Sequence, residues 1–286
     1  MGVARGDGLS IEETRLEVQG GKLGVFVGAG GYADDLLRDL RGIGLEPLEY
    51  SWTHDSDERR FVRPDKFKDV VETLQEDGVT DVLHAGTVTF GPMMWAAQRI
   101  LMKRQRVPDV LMMLRALRRT HFGPLQTRLE EAGLRVRTAT DLFDKYRANQ
   151  GVMGSNVLTA SDLSAVVALK EPVRAELAKS QTFFGATHAA IWEGDRVVER
   201  ETFLGTSGVC RAASKRPKHA RRILIKIAPA GPFQQLDLPT IGTNTISEAR
   251  AAGVDVVALE CSRGLVIDRE LTAKRADELG VVLVGI

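Results

Sequence analysis

The sequence predicts an α/β fold in two domains, an N-terminal Rossmann-like parallel sheet and a C-terminal mixed α/β domain, with a ligand cleft between them. Short β-branched runs alternate with helix-like segments through residues 22–150, which is typical of βαβ units. A second series of strands and helices follows over residues 151–286, after a Gly-containing break. The chain has 286 residues, 43% of them hydrophobic, which is enough for two cores.

Composition limits the class of protein. The formal net charge is only +1, so it gives no overall attraction to nucleic acid or membrane. Cys210 and Cys261 form no CxxC pair, so neither a zinc site nor a disulfide framework is supported. No apolar run approaches the roughly 18 residues of a spanning helix, and we expect residues 1–21 to be a flexible polar leader. The expectation is a cytoplasmic protein that binds no nucleic acid.

The N-terminal domain is expected to open with a strand, a glycine-rich loop and a helix. Residues 23–27 are apolar, and three glycines follow before the helix, namely Gly28, Gly30 and Gly31. The loop lacks the last glycine of a dinucleotide fingerprint, and Asp34 and Asp35 would repel a pyrophosphate at the helix start. The pattern therefore predicts a Rossmann-like opening without a nicotinamide site.

Two further strands are predicted in this domain, at 45–52 and 81–86, with a helix at 65–77 between them. His84 lies in the second of these strands, and ligands of α/β sheets collect at the carboxyl ends of strands. A lone histidine in a strand is more often a buried, hydrogen-bonded side chain, and both interpretations stay open. A helix at 125–132 and a strand at 134–138 follow.

Residues 93–119 are rich in Met, Leu and Arg, and Pro108 divides them into two predicted helices. Leu111, Leu114 and Leu117 recur every three residues and indicate a core face, which leaves the basic faces in solvent. The alternative is contact with an anionic membrane, because basic residues beside a soft apolar face suit an interfacial helix.

The C-terminal domain is expected to begin with a helix at 160–179 and a hairpin of strands 187–192 and 196–202. Residues 211–222 are the most basic segment of the chain. A solvated loop is the default interpretation of this segment, and a site for a diphosphate or an anionic headgroup is the alternative. Nucleic-acid binding would need aromatic support that the neighbouring sequence lacks.

Residues 222–242 read as a strand, a loop and a turn. Lys226 is the single charge within a β-branched run, which is brought to an end by Pro229, Gly231 and Pro232. Asp237 then precedes an extended Leu-Pro unit, and Gly242 precedes a helix. Lysine, aspartate, hydroxyls and a helix N-terminus are the groups of a phosphate site. An ordinary connection with solvated charges is the alternative.

The rest of the chain is predicted to alternate helices and strands. The helix after Gly242 would be capped by Thr243, Asn244 or Thr245, with Glu248 completing a capping box. The predicted elements are a helix at 246–252, strands at 255–260 and 264–268, a helix at 269–279 and a strand at 281–284. Asp268 is either a site carboxylate or the cap of the last helix, and we favour the cap.

The motifs of this region are specific. The string Asp-Leu-Pro-Thr-Ile-Gly occupies 237–242, and the residues around it keep a defined spacing, including Lys226, Thr245, Ile246, Glu260, Arg263 and Asp268. From Lys226 to Ile286 the sequence resembles the LpxI-type UDP-2,3-diacylglucosamine pyrophosphatases of the lipid A pathway. The glycine-rich opening and the string Ala-Gly-Thr-Val at 85–88 resemble the same family. The resemblance implies a metal-dependent hydrolase that releases UMP and lipid X at the inner face of the cytoplasmic membrane.

The resemblance also implies roles for individual residues. The catalytic candidates are Asp237, Lys226, Thr206 and Ser207. The substrate-binding candidates are Gly28, Gly30, Gly31, Gly86, Thr87, Thr240 and Gly242. The expected cofactor is Mg²⁺, which carboxylates hold beside phosphoryl oxygens, and its candidate ligands are Asp237, Glu201 and Glu260. The expected partner is a UDP-sugar lipid, while contact with an anionic membrane and a homodimer are left open.

The sequence departs from the family at three polar positions. Ser207 stands where family members carry the aspartate of Glu-Gly-Thr-Asp, an Asp-Asp pair is missing before the helix at 125–132, and no arginine follows Gln235. A serine does not hold a divalent metal as a carboxylate does. Two functions stay open: a divergent pyrophosphatase, and a non-catalytic relative that binds a UDP-sugar or lipid as sensor, carrier or scaffold.

Overall fold

The structure is a computed structural model, and it describes residues 21–51, 59–62, 67–86, 122–179, 187–202, 204–228 and 235–286. The chain divides into two compact units. Unit 1 contains Met1–Asp144 and Gln235–Asp237, and unit 2 contains Lys145–Gln234 and Leu238–Ile286. The predicted leader up to residue 20, Thr87 and the predicted basic helices at 93–119 lie outside the described residues.

Within its described residues, unit 1 contains a five-stranded sheet in which every strand pairing is parallel. The strands are β1 (Lys22–Val27), β2 (Leu48–Ser51), β3 (Arg60–Phe61), β4 (Val79–Ala85) and β5 (Arg135–Arg137). The helices are α1 (Gly31–Gly42), α2 (Phe67–Glu76), α3 (Phe122–Glu131) and α4 (Ala139–Leu142). The order β3-β2-β1-β4-β5 is that of a Rossmann-type sheet, so the predicted parallel sheet is confirmed.

The core of unit 1 forms because its central strands are apolar along most of their length. Phe26 of β1 and Val82 of β4 pack with Tyr50 of β2, and Leu74 of α2 and Leu129 of α3 cover them. Strands covered on both faces read as nearly continuous apolar runs, which is the pattern of β1 and β4. Each large side chain buried in this way stabilises the unit by about 1.5–3 kcal/mol before entropy is counted.

A buried carboxylate joins β4 to β5. Asp81 is 0% exposed, and it accepts hydrogen bonds from Arg135 Nη2 (2.6 Å), Arg137 Nε (2.9 Å) and Thr80 Oγ1 (2.8 Å). Burial alone would raise the pKa of Asp81, but the hydrogen bonds from the two arginines lower it below its ordinary value. The ionised carboxylate therefore holds both arginines of β5 on the central strand.

Unit 2 contains, within its described residues, a six-stranded mixed sheet and a separate parallel strand pair. Its strands are β6 (Gly151–Val152), β7 (Ala189–Glu193), β8 (Arg196–Arg200), β9 (Arg222–Lys226), β10 (Thr240–Ile241), β11 (Val256–Leu259), β12 (Leu265–Val266) and β13 (Val282–Gly285). The sheet order is β6-β13-β11-β9-β7-β8, and β10 pairs with β12. The helices are α5 (Ala160–Ala168), α6 (Lys170–Lys179), α7 (Gly205–Ser214), α8 (Thr243–Ala251) and α9 (Arg269–Glu278). The predicted mixed sheet is confirmed.

The central strands of unit 2 bury side chains on both faces of the sheet. Leu224 packs in the cluster that includes residues of α7, α8 and α9, whereas Ile225 and Ala258 pack in the cluster that includes residues of α5 and α6. Successive residues of a strand point to opposite faces. Lys226 therefore continues the face of Leu224, and Glu260, two residues after Ala258, continues the other face.

A buried arginine links four elements of unit 2. Arg222 begins β9 and is 2% exposed. Its Nε donates to the carboxylate of Glu193 at the end of β7. Its other four N–H groups donate at 2.8–3.1 Å to the carbonyl oxygens of Ala213, Ala252, Arg216 and Pro217. Arg222 thus uses all five of its donors, and it joins β7 and β9 to the C-terminal ends of α7 and α8.

One helix of unit 2 that was predicted as continuous is divided in the structure. The predicted helix at 160–179 is two helices, α5 and α6, with Leu169 between them. Pro172 lies in the first turn of α6 and has no N–H for the carbonyl of residue 168, which interrupts the ladder. The predicted hairpin is confirmed as β7 and β8.

Among the helices that the structure describes, none combines the length and the apolar character that a membrane span requires.

Helix α8 begins without the predicted capping box. Its N-cap is Gly242, no side chain caps it, and Thr245 already lies within its first turn. Glu248 accepts a hydrogen bond from Ser207 instead. The prediction for α9 is confirmed, because Asp268 accepts from the Leu271 N–H at 3.1 Å, although with a left-handed φ of 44°.

Replacing Arg222 by methionine is expected to lower the free energy of unfolding by about 3–5 kcal/mol, because Glu193 is left as a buried charge without its partner. The hydrogen bonds from Arg222 and from the His219 N–H hold the pKa of Glu193 down at about 2, so its carboxylate stays ionised. Urea unfolding followed by circular dichroism measures the change. Arg250→Met, at an exposed position of α8, is the matched control, with an expected effect within about 0.5 kcal/mol. Equal effects of the two substitutions would contradict the role of Arg222.

Candidate functional site

The predicted lysine is buried at the end of a central strand of unit 2. Lys226 is the last residue of β9 and is 7% exposed. Its Nζ donates to Thr206 Oγ1 at 2.7 Å and to the Thr240 carbonyl oxygen at 2.8 Å. Three of the predicted site residues are therefore in direct contact, and we call Lys226, Thr206 and Thr240 the lysine cluster. The burial of an ammonium group at this place requires such partners.

The lysine cluster forms where helix N-termini meet the carboxyl end of a parallel strand. Thr206 lies in the first turn of α7, and Thr240 lies in β10, just before Gly242 and α8. Neither α7, with Leu204 as its N-cap, nor α8 has a side-chain cap. The first N–H groups of a helix carry a partial positive charge. Two uncapped helix starts and an ammonium group thus belong to one part of unit 2, a combination suited to phosphate oxygens.

The predicted metal ligand Glu201 belongs to the lysine cluster through a hydroxyl. Glu201 Oε1 accepts from Thr206 Oγ1 at 3.2 Å. Its other oxygen, Oε2, accepts from the backbone N–H groups of His188 (2.5 Å) and Ala189 (3.0 Å). Both carboxylate oxygens are therefore occupied by donors of the protein, and Glu201 holds Thr206 in position for Lys226.

The predicted metal ligand Glu260 is engaged on the other face of the sheet. Its Oε1 accepts from Arg174 Nη2 at 3.0 Å and lies 3.3 Å from Lys170 Nζ, and its Oε2 accepts from the Ala228 N–H at 2.9 Å. Burial alone would raise the pKa of Glu260, but the Ala228 N–H and the Arg174 guanidinium lower it. The structure thus separates Glu260 from the lysine cluster.

The three predicted ligands do not fit Mg²⁺ as a set. Both carboxylate oxygens of Glu201 and of Glu260 already accept hydrogen bonds from protein donors. Across the described ranges, no group of three or more His, Cys, Asp or Glu side chains is arranged to hold a metal ion. We therefore derive no chemical step through a metal, and the requirement for Mg²⁺ stays a prediction.

Glu248 lies next to the lysine cluster, although its spacing in the sequence predicts a helix cap and not a site residue. Ser207 Oγ donates to the Glu248 carboxylate, 2.9 Å from Oε1 and 2.8 Å from Oε2. The predicted catalytic residue Ser207 is thus adjacent in sequence to Thr206 of the lysine cluster and bonded to α8. The sequence signal for Glu248 was its spacing from Thr245, which was assigned to a capping box.

The predicted glycines meet at the carboxyl ends of β1 and β4 in unit 1. Gly86 has a φ of 96°, and a Cβ there would lie 2.8 Å from the carbonyl carbon of Gly28. Gly28 donates to the Ala85 carbonyl oxygen at 2.7 Å. Gly30 is the N-cap of α1, which begins at Gly31 and has no side-chain cap. The strand order reverses between β1 and β4, which is where ligands bind in open α/β sheets.

Three residues from the loop after β9 belong to unit 1. Leu236 is 1% exposed and packs in the core of that unit. Its carbonyl oxygen lies 2.9 Å from His84 Nδ1, and the N–H of Gln235 donates to Gln126 Oε1 at 2.7 Å. These contacts fix the backbone immediately before the predicted catalytic residue Asp237.

His84 is the buried, hydrogen-bonded histidine that one of the two interpretations predicted. Because a carbonyl oxygen only accepts, Nδ1 must carry the ring proton in this contact. Burial lowers the pKa of His84 to about 4, although the charge of Asp237 and the bond to Leu236 act in the opposite direction. His84 is therefore neutral at pH 7, and it lies within electrostatic reach of Asp237.

The fold and the two groups of residues define the class of protein. It is an α/β protein with a Rossmann-type parallel sheet and a glycine-rich loop in unit 1, and a buried lysine beside uncapped helices in unit 2. Residues 156–284, from the loop before α5 into β13, match the family described as the LpxI C-terminal domain.

A curated relative matches over a longer range. The chain is 26% identical over 231 residues to the UDP-2,3-diacylglucosamine pyrophosphatase LpxI of Caulobacter vibrioides, an alignment that covers 77% of this chain and 79% of the relative. Together with the match of the C-terminal domain, this shows that the chain is similar to LpxI proteins over most of its length. The resemblance stated from the sequence motifs is confirmed.

Acidification is expected to destabilise unit 1 through His84. The pKa in the folded state, about 4, lies below the ordinary value of 6.5, so the unfolded chain binds the proton more readily. The contribution of neutral His84 to the free energy of unfolding is therefore complete above pH 6.5. It is lost progressively as the pH falls toward 4, at up to about 1.4 kcal/mol per pH unit. His84→Asn keeps a donor for Leu236 and removes the titration.

Urea midpoints of both proteins between pH 4.5 and 7.5 test this expectation. The difference between wild type and His84→Asn should shrink as the pH falls. The matched control is His219→Asn at an exposed position, with an expected effect on the free energy of unfolding within about 0.5 kcal/mol. A pH-independent difference for His84→Asn would show that His84 does not titrate in this way.

Proposed function

We propose that this protein hydrolyses the pyrophosphate of UDP-2,3-diacylglucosamine to lipid X and UMP. The observation that carries the proposal is the position of Lys226, buried at the strand end and joined to Thr206 and Thr240 beside the uncapped starts of α7 and α8. A relative that matches 77% of the chain bears the name of this activity.

The groups of the lysine cluster suit the charge that develops during pyrophosphate cleavage. Attack on phosphorus leaves negative charge on the equatorial and leaving oxygens, and catalysis consists largely of positioning and charge stabilisation. In the proposal, Lys226 neutralises one phosphoryl oxygen, and the N–H groups at the start of α7 and the Thr206 hydroxyl donate to others. Glu201 keeps Thr206 oriented through its backbone contacts.

The glycines of unit 1 suit the nucleotide part of the substrate. Backbone without side chains at Gly28, Gly30, Gly31 and Gly86 lets a ligand approach the ends of β1 and β4 closely, and Thr87 belongs to the same predicted group. Asp237, at the end of the segment fixed by His84, is the proposed acidic residue of the reaction. Gly242 would contribute the uncapped start of α8.

A binding relative without hydrolysis is the second candidate function. It is favoured by one observation, since the carboxylates of Glu201 and Glu260 are already occupied by protein donors and Ser207 brings no carboxylate. Such a protein would bind the UDP-sugar at the lysine cluster, and the bound UDP-sugar would serve as a signal or as cargo. Cytoplasmic location, with peripheral contact to the inner face of an anionic membrane, is proposed for both functions, and a homodimer stays open.

A direct assay decides between the two functions. Purified protein is incubated with UDP-2,3-diacylglucosamine and Mg²⁺, with and without a chelator, and UMP and lipid X are separated by chromatography. We expect both products, in equal amounts, and their loss in Asp237→Ala. Substrate binding without product would reject hydrolysis in favour of the binding relative, and activity that survives the chelator would reject the predicted metal requirement.

Lys226→Met is expected to weaken the binding of the UDP-sugar about 10- to 150-fold, because a charge-assisted hydrogen bond contributes roughly 1.5–3 kcal/mol. Methionine keeps the apolar stem and removes the charge. Isothermal titration calorimetry measures the change in affinity, and Lys215→Met, at the exposed C-terminal end of α7, is the matched control with unchanged affinity expected. Equal affinities for Lys226→Met and wild type would remove Lys226 from the site.

A further inference from the structure

Glu248 differs from the other carboxylates near the ends of the central strands. Glu201 and Glu260 each accept from backbone N–H groups, and Glu260 also contacts two cations. Glu248 accepts only the hydroxyl proton of Ser207, and it has no cationic partner among the described residues. Its carboxylate is partly exposed on α8. Glu248 therefore keeps acceptor capacity that the fold does not use.

The position of Glu248 is tied to the lysine cluster by two connections. Ser207, its donor, is adjacent to Thr206, which accepts from Lys226. The buried thiol of Cys210, one turn further along α7, lies within electrostatic reach of both charges. The pKa of Cys210 is raised to about 11, mainly by burial and also by the charge of Glu248, while the charge of Lys226 acts in the opposite direction. The carboxylate and the ammonium group thus act on one small region of unit 2.

The hydrogen bond from Ser207 orients this carboxylate. Ser207 Oγ lies nearly equidistant from the two oxygens of Glu248, at 2.9 and 2.8 Å. A hydroxyl has one proton to donate, so one lone pair on each carboxylate oxygen remains directed elsewhere. The serine holds Glu248 against the first turn of α7. An arginine or a lysine in its place would neutralise the carboxylate, whereas the neutral hydroxyl of Ser207 does not.

Building on the proposed pyrophosphatase function, we propose that Glu248 is the proton acceptor for the attacking water, with Ser207 as its positioning residue. The water oxygen forms a bond to one phosphorus, the bond from that phosphorus to the bridging oxygen breaks, and the bridging oxygen leaves with the other phosphate. One water proton passes to the Glu248 carboxylate. Lys226 stabilises the charge on the phosphoryl oxygens.

The kinetic test compares Glu248→Gln with Glu270→Gln, an exposed glutamate in the first turn of α9. Glu248→Gln should lower kcat about 100-fold or more with KM changed less than about threefold. Ser207→Ala should lower kcat less than Glu248→Gln, also with KM changed less than about threefold. Wild-type kcat in Glu248→Gln, or complete loss of activity in Ser207→Ala alone, would overturn the assignment.

A binding measurement separates failure of this assignment from failure of the proposed function. Inorganic pyrophosphate is titrated into each protein by calorimetry, without turnover of the lipid substrate. Removal of a like charge beside the anion should tighten binding several-fold in Glu248→Gln and leave Glu270→Gln at the wild-type value. An inactive wild type would refute the proposed function, whereas an unchanged affinity in Glu248→Gln would by itself overturn the position of Glu248 at the anion.

Discussion

Arg222 and Glu193 form the buried ion pair on which the arrangement of unit 2 depends. Two desolvated charges are costly unless their hydrogen bonds are complete, and here all five donors of Arg222 are used. The pair binds the C-terminal ends of α7 and α8 to the beginning of β9. The uncapped starts of the same two helices lie near the end of β9, where Lys226 is located. One strand thus carries a buried structural cation, Arg222, at its beginning and the proposed site cation, Lys226, at its end.

The sequence alone predicted those elements whose hydrophobic periodicity and turn residues indicate the same structure. The apolar runs predicted the parallel strands of unit 1, and Glu193-Gly194-Asp195 predicted the hairpin of unit 2. The residues of 222–242 themselves predicted a site that contains Lys226 and Thr240, whereas Thr206 was added only through the family motifs. The burial of Arg222 was not anticipated, since a basic segment of that composition is usually solvated.

Local rules failed where a tertiary contact offered a better partner. Glu248 has the spacing of a capping box, yet it bonds to Ser207 on a neighbouring helix. Glu201 and Glu260 have the residue type of metal ligands, yet backbone N–H groups occupy them. Side-chain caps are present on α4, α5 and α9 but absent from α1, α7 and α8, the helices that begin beside predicted site residues. A missing cap costs about 1 kcal/mol, a cost consistent with sites that need free N–H donors.

The inclusion of Leu236 in the core of unit 1 has a consequence for dissection of the chain. Its neighbours on both sides along the chain, apart from Gln235 and Asp237, belong to unit 2. A fragment that stops at residue 144 would retain the whole parallel sheet but expose the hollow that Leu236 fills, and it would leave His84 without its carbonyl acceptor. No single cleavage of the backbone therefore yields two complete halves. Deletions in the loop after β9 would destabilise the amino-terminal sheet, more than a hundred residues earlier in the sequence.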